Sequence, residues 1–306
     1  GLVFLFFYNI ATGIFASLGD SRTPFLFLAA SSIANIALDV LFVTAFRMGV
    51  AGVAWATFLC QGVSCVLAVL ALFRVLSRME TDEPPRLFSG RILLNLVKVA
   101  LPSTLQQCFV SVGNILIQSI INGFGTSAIA GYAAAIKFNN FAVTSFNTLG
   151  NGMSNFTAQN LGAMQTDRVR EGYKGCLKMM AGIATLFVLV YVFFGGQVIR
   201  LFLNDESSGS LAVGVEFLLI VSPFYYTVAL KLATDGVLRG ASRMTEFMTD
   251  TFVDLAMRVA LSFILAGPFG LTGVWWSWPI SWCVSSGLSV LFYRRGRWAN
   301  LGSAEP

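Results

Sequence analysis

The sequence predicts an all-α membrane protein. It reads as a polytopic helical bundle of two six-helix lobes related by a parallel internal repeat, with the first lobe truncated. Three observations carry this. Of 306 residues, 56% are hydrophobic and only 11% are charged, where a soluble domain has about 25% charged residues. Apolar runs long enough for a hydrocarbon core of roughly 30 Å recur along the whole chain. Residues 19–74 match residues 240–295 in one ungapped register, 221 positions apart.

Apolar length gives nine spans, at 1–17, 25–46, 50–74, 97–121, 127–160, 175–202, 211–237, 246–267 and 271–293. The chain opens Gly1-Leu2-Val3 inside an apolar run, without the basic start of a signal peptide, and is read as a helix already under way. The one long polar connection, about 77–96, contains Pro84-Pro85, which interrupts a helix. Residues 87–96 have the make-up of a short interfacial amphipathic helix. The expected division is therefore 1–78 as the last three helices of the first lobe, 79–96 as a cytoplasmic linker, 97–298 as the second lobe and 299–306 as a tail. The span at 127–160 is too long for a straight crossing, and Gly150 and Gly152 are the places for a bend.

Loop charge sets orientation. One set of loops carries Arg22, the cluster from Arg74 to Lys98, Arg168 to Lys178, Arg239, Arg243 and Arg294 to Arg297. The opposite set carries only Arg47 and Arg200, a division of 15 cations against 2. Residues 18–24 and 77–97 are thus expected in the cytoplasm. This asymmetry accounts for the net charge of +5, so the basic balance does not call for nucleic acid. The chain has no His, which removes histidine metal sites and relays. Its five cysteines are scattered through apolar helices without a C-x-x-C pair. No H-E-x-x-H, G-x-S-x-G or P-loop pattern occurs, so no enzyme activity is expected. The longest polar segment is far too short for a nucleotide-binding domain.

The repeat fixes the architecture. Gly19-x-Ser21-Arg22 falls on Gly240-x-Ser242-Arg243, and Gly49-x-x-Gly52-Val53-x-Trp55 falls on Gly270-x-x-Gly273-Val274-x-Trp276. Ser64, Leu67 and Arg74 fall on Ser285, Leu288 and Arg295. Spans one to three thus correspond to spans seven to nine, and the repeating unit is six helices. About three more helices, of order 110 residues, are expected ahead of Gly1, and this chain alone is not expected to transport. An even unit gives both copies one orientation, related by an axis along the membrane normal.

Polar groups inside the spans are the candidate sites. Asn35 and Asp39 are four residues apart and share a helix face. A carboxylate in mid-span costs roughly 2.5–3.5 kcal/mol on insertion scales, and no cation lies between Arg22 and Arg47. Thr57 on the next, antiparallel span lies at the same depth, roughly 12 Å inside. Carboxylate, amide and hydroxyl suit a proton or a small hard cation such as Na⁺; the alternative is hydrogen bonding between helices. Asn147, Asn151, Asn155 and Gln159 form an amide stripe at a spacing of four, which either lines a wet cavity or joins helices. Gln107, Asn114 and Gln118, with Gln106 beside them, give the fourth span a polar face open to the same two readings. Lys137 has no partner near it in sequence, and is expected either at a central cavity or beside an acid on another helix. Lys231 with Asp235, and Asp254 with Arg258, have the spacing of neutral intrahelical pairs, and Asp250 lies one turn before Asp254. Trp275, Trp276 and Trp278 read as an outer aromatic belt.

With these residues in view, the sequence resembles the multidrug and toxic compound extrusion (MATE) family. The resemblance rests on Ala16-Ser17-Leu18-Gly19-Asp20-Ser21-Arg22-Thr23-Pro24, Asn35-x-x-x-Asp39, Gly49-x-x-Gly52 and Pro102 opening a span. Gly150-Asn151-Gly152, Ala158 to Ala163 and Gly236-Val237-Leu238-Arg239-Gly240 complete it. It implies twelve helices, a bacterial inner-membrane location, and export of amphiphilic, often cationic compounds in exchange for H⁺ or Na⁺. No cofactor beyond the transported ion, no partner beyond small molecules and lipid, and a monomer are implied. Asn35, Asp39 and Thr57 match three members of a first-lobe cation or proton site in one branch. Another branch uses a Glu on the seventh helix and an acid on the tenth. Here the seventh helix offers Gln106 and Gln107 instead, and Asp235 on the tenth lies close to the cytoplasmic turn. The alternative is a lipid-linked saccharide flippase of the related superfamily.

Overall fold

The structure, a computed structural model, describes residues 1–78, 88–203 and 208–299. Among them it is helical with no strand. Pro84-Pro85, the rest of the linker at 79–87 and the tail beyond residue 299 lie outside the described residues. The chain divides into two compact units, residues 1–89 and 90–306.

The first unit has three helices: α1 (Leu2–Ser17), α2 (Arg22–Thr44) and α3 (Gly49–Leu76). The α1–α2 turn is held by Asp20. Its Oδ1 accepts the amides of Arg22 and Thr23, each at 3.1 Å, and its Oδ2 accepts the Thr23 hydroxyl at 2.6 Å. The hydroxyl and amide of Thr23 hold this carboxyl below its ordinary pKa. The α2–α3 turn places Gly49 at φ 57, a left-handed conformation that costs least without a Cβ. α3 packs on both neighbours through small residues: Gly62 meets the Phe4 ring, and Gly52 sits against Phe42. The buried centre is Ala11, Phe15, Ala68 and Leu72. The exposed face of α2 is mostly apolar, with Phe25, Leu26, Ile33, Ile36 and Val40 exposed.

The second unit comprises α4 (Gly90–Asn122), α5 (Thr126–Gly162), α6 (Thr166–Arg200), α7 (Ser208–Val221), α8 (Tyr225–Gly240) and α9 (Met244–Arg294). Residues 90–96 run unbroken into α4 instead of forming a separate interfacial helix. A 3₁₀ turn, Ser222–Phe224, joins α7 to α8 where Pro223 removes a backbone donor. α9 is a helical hairpin. Gly270 inside it has φ 61 and ψ −142, and Ser262 Oγ lies 2.8 Å from Ser277 Oγ. A straight helix would part those residues by about 22 Å. Gly270 is the repeat counterpart of Gly49, and both have a positive φ.

α5 is a continuous helix from Thr126 to Gly162, and Gly150 serves close packing. A Cβ on Gly236 of α8 would lie 2.5 Å from the Gly150 carbonyl oxygen, and one on Gly150 would lie 2.7 Å from that of Leu232. Trp275 and Trp278 are buried, and only Trp276 among the three is exposed, at 42%. The expected aromatic belt is therefore mostly core. Trp275 stacks on Tyr132 at 5.5 Å, and Phe217 sets its edge against both buried tryptophans.

Six helical segments are long and apolar enough to cross a membrane by length and composition. The last of them, α9, contains two of the nine expected spans. α1 is shorter, at 16 residues. α5 falls below that apolarity because of its amide stripe. The chain is a multi-pass membrane protein.

Candidate functional sites

In the first unit, two contacts fix the antiparallel register of α2 on α3. Phe42 faces Gly52, and the Ser31 hydroxyl donates to the Cys60 carbonyl at 3.3 Å. Asn35 and Asp39, between them, stand level with the turn of α3 that carries Thr57. Asn35 Nδ2 and Asp39 Oδ1 are buried and have no hydrogen-bond partner among the described residues. The α3 face turned to α2 carries Gly52, Ala56 and Cys60, all buried. Thr57 is one position further round. Its hydroxyl donates to its own helix, at the Val53 carbonyl, 3.0 Å away. It borders a recess with Gly1, Phe58 and Gln61. The three residues share a depth. Asn35 and Asp39 share a face, and no hydrogen bond joins Thr57 to them among the described residues.

The second unit encloses a cavity of about 400 Å³, a size suited to a small organic molecule. Gln107 and Asn114 of α4 and Asn147 of α5 line it, together with Gln106, Lys231, Asp235, Arg239, Asp254 and Arg258. Its aromatic wall is Phe247, Trp278 and Trp282. Asn151 reaches it indirectly, by accepting a hydrogen bond from Arg239 Nη2 at 2.9 Å. Three other expected lining residues point elsewhere. Gln118 donates to Asn122 Oδ1 at 2.8 Å, Asn155 is exposed, and Lys137 Nζ lies over the Phe202 ring at 4.5 Å. Lys137 borders a separate, shallow groove along α5 with Asn140 and Thr144.

The charged residues of α8 and α9 beside this cavity form two hydrogen-bonded groups, one around Lys231 and one around Arg258. Lys231 Nζ donates to Asp235 Oδ2 at 2.7 Å and, across the helix interface, to Asp250 Oδ1 at 3.2 Å. Gln106 Nε2 reaches Thr251 Oγ1 at 2.9 Å, and that hydroxyl lies 3.1 Å from Asp250 Oδ1. Arg258 Nη2 donates to Asp254 Oδ2 at 3.1 Å while its guanidinium lies over Trp278 at 4.7 Å. Spacing in sequence revealed the two intrahelical pairs. It did not reveal that Lys231 is shared with Asp250, nor that Ser289 on the second arm of α9 contacts both Asp235 and Asp250. A signal was available: Ser277, Ser281, Ser285 and Ser289 recur every four residues, and all are fully buried. No group of three His, Cys, Asp or Glu side chains able to hold a metal ion occurs among the described residues.

Comparison with known proteins agrees with this architecture. The chain is 27% identical over 299 residues to a probable multidrug resistance protein of Bacillus subtilis, YpnP, covering 97% of this chain and 66% of that one. It is 26% identical over 220 residues to a FAD transporter of Shewanella oneidensis, covering 69% of this chain and 47% of that one. It thus spans about two thirds of the length of the first of these relatives. The fold superposes with a TM-score of 0.84, at 24% identity, on an outward-facing multidrug resistance MATE family transporter of the MOP superfamily, covering 94% of this chain and 65% of that one. The MatE family model matches residues 102–264, just over half of the sequence, and the chain belongs to the MatE family.

Proposed function

We propose that the protein acts as a cation-coupled antiporter of the bacterial inner membrane that exports amphiphilic compounds by alternating access. H⁺ or Na⁺ would bind at Asn35 and Asp39, with Thr57 at the same depth, and substrate in the polar cavity of the second unit. The observation that carries this is Asp39 Oδ1, a carboxyl oxygen buried within a span and without a partner among the described residues, on a side chain that is otherwise half-buried. Such a group either holds a proton or binds a cation. Coupling requires ion and substrate to prefer different conformations of the lobes. Efflux of a fluorescent amphiphilic cation, measured under imposed proton and sodium gradients, tests the reading. Efflux that persists unchanged with both gradients collapsed contradicts it.

A second reading has its own support. Arg239 lines the cavity with an Nε that has no partner among the described residues, and a guanidinium free to donate favours a substrate bearing an anionic group. The similarity to a FAD transporter points the same way, as does the expectation of a flippase for lipid-linked saccharides. Competition of anionic against cationic amphiphiles for efflux separates the two.

A further inference from the structure

The cavity of the second unit is balanced in charge but not in hydrogen bonding. Lys231 bonds to Asp235 and Asp250, and Arg258 bonds to Asp254. Arg239 lies close enough to Asp235 to interact with its charge. Three cations therefore meet three acids beside the cavity. What stays unmet is a set of polar atoms. Asp254 Oδ1, Arg258 Nε and Trp278 Nε1 are buried and have no hydrogen-bond partner among the described residues. Their side chains belong to residues that are 7%, 7% and 5% exposed, and all three residues line the cavity.

The three form one group. Arg258 Nη2 donates to Asp254 Oδ2 at 3.1 Å, and the guanidinium lies over the Trp278 ring at 4.7 Å. The group belongs to the second copy of the repeat alone. Under the 221-residue register, Asp254, Arg258 and Trp278 fall on Ile33, Ala37 and Thr57, so the fold as such does not require it.

These atoms specify their complement. A carboxylate oxygen only accepts, while the Nε of Arg and the Nε1 of Trp each donate one hydrogen and accept none. The matching ligand group donates one hydrogen and accepts two. An ammonium does not fit, because Arg258 already neutralises Asp254 and both free donors would oppose it. A carboxylate or phosphate does not fit, because it would face Asp254 Oδ1. A neutral imide fits, with one N–H between two carbonyls. The wall beside it is aromatic: Phe247, Trp278 and Trp282 line the cavity. The rings of Trp278 and Trp282 stand at 90° with centroids 5.7 Å apart, a corner suited to a flat ring.

We infer that Asp254, Arg258 and Trp278 form a subsite for the imide edge of a planar aromatic heterocycle. The inference rests on the reading of this cavity as the substrate site. The subsite is separate from Arg239, which lies over Phe247, three turns of α9 away from Arg258.

Equilibrium dialysis of the full protein in detergent, against naphthalimide and against N-methylnaphthalimide, tests this. The two probes share their rings and carbonyls and differ at the N–H; micelles without protein correct for partition. Naphthalimide should bind saturably and at least about tenfold tighter than the N-methyl compound, which leaves the buried acceptor unpaired. Trp278→Phe keeps a ring and removes one donor, and should weaken naphthalimide about fivefold or more. Asp254→Asn should erase the preference between the probes; the comparison on the unaltered protein stands even if that variant does not fold. Equal binding of the two probes overturns the inference, as does naphthalimide affinity unchanged in Trp278→Phe. Either result leaves the cavity as a site for amphiphiles without an imide. Saturable binding of neither probe overturns the inference too, and the reading of the cavity as the substrate site falls with it only if amphiphilic cations and anions also fail to bind.

Discussion

Replacing Lys231 with Met tests how the charged wall of the second unit is held together. The ammonium donates to Asp235 at 2.7 Å and to Asp250 at 3.2 Å and is only 6% exposed. Met fills similar space without charge. Removing one partner of a buried ion pair costs about 3–5 kcal/mol. A second estimate agrees: the acid left behind must take up a proton, and protonating an ordinary Asp at pH 7 costs about 4 kcal/mol. The folded variant then binds one more proton than the folded wild type, while the unfolded chains bind the same number at these acids. Its stability relative to wild type therefore falls as pH rises above about 3.9, where the unfolded acid ionises, by about 1.4 kcal/mol per unit. The assay is denaturation of both proteins in detergent at several pH values. The double variant Lys231→Met/Asp235→Asn removes one acid with the cation and should recover most of the loss. A single variant within about 1 kcal/mol of wild type at pH 7, or a loss that ignores pH, refutes the shared-lysine network.

Further outcomes follow from packing and topology. Gly236→Ala should cost about 1–3 kcal/mol, since its Cβ would lie 2.5 Å from the Gly150 carbonyl oxygen. Gly152→Ala, with open space around it, should be close to neutral in the same melts. Ser21→Cys and Ser242→Cys, introduced singly into a cysteine-free background, should resist an impermeant thiol reagent in intact cells and react in inverted vesicles. Labelling from opposite sides would replace the parallel repeat with an inverted one. Thr57→Ala should weaken gradient dependence less than loss of Asp39, because its hydroxyl is already bonded to the Val53 carbonyl; an equal loss would make Thr57 an essential ligand.

Much of the helical framework was legible because bilayer length and turn chemistry leave strong local marks. Gly49 and Gly270 stood out in the repeat, and both take a positive φ at the point where one helix gives way to the next. Direction was harder to read. In a span apolar on every face, periodicity does not say which side meets lipid and which meets protein. Trp275 and Trp278 therefore looked like a belt but are core, and Lys137 looked cavity-bound but lies on Phe202. Gly150 suggested a bend because glycine serves both bends and close approaches; Gly236 opposite it decides for approach. Lys231 and Asp235 were visible as a pair at four-residue spacing. The link to Asp250 and Ser289 depends on how three helical segments pack, which no local spacing encodes.

Asp39 is the residue on which the proposed coupling turns. The most direct measurement compares wild type and Asp39→Asn in proteoliposomes, following gradient-driven accumulation of a fluorescent amphiphile and its equilibrium binding on the same preparations. Asp39→Asn should bind the amphiphile with wild-type affinity while losing gradient-driven accumulation. Accumulation at the wild-type rate with unchanged gradient dependence would show that Asp39 is structural and would contradict the account.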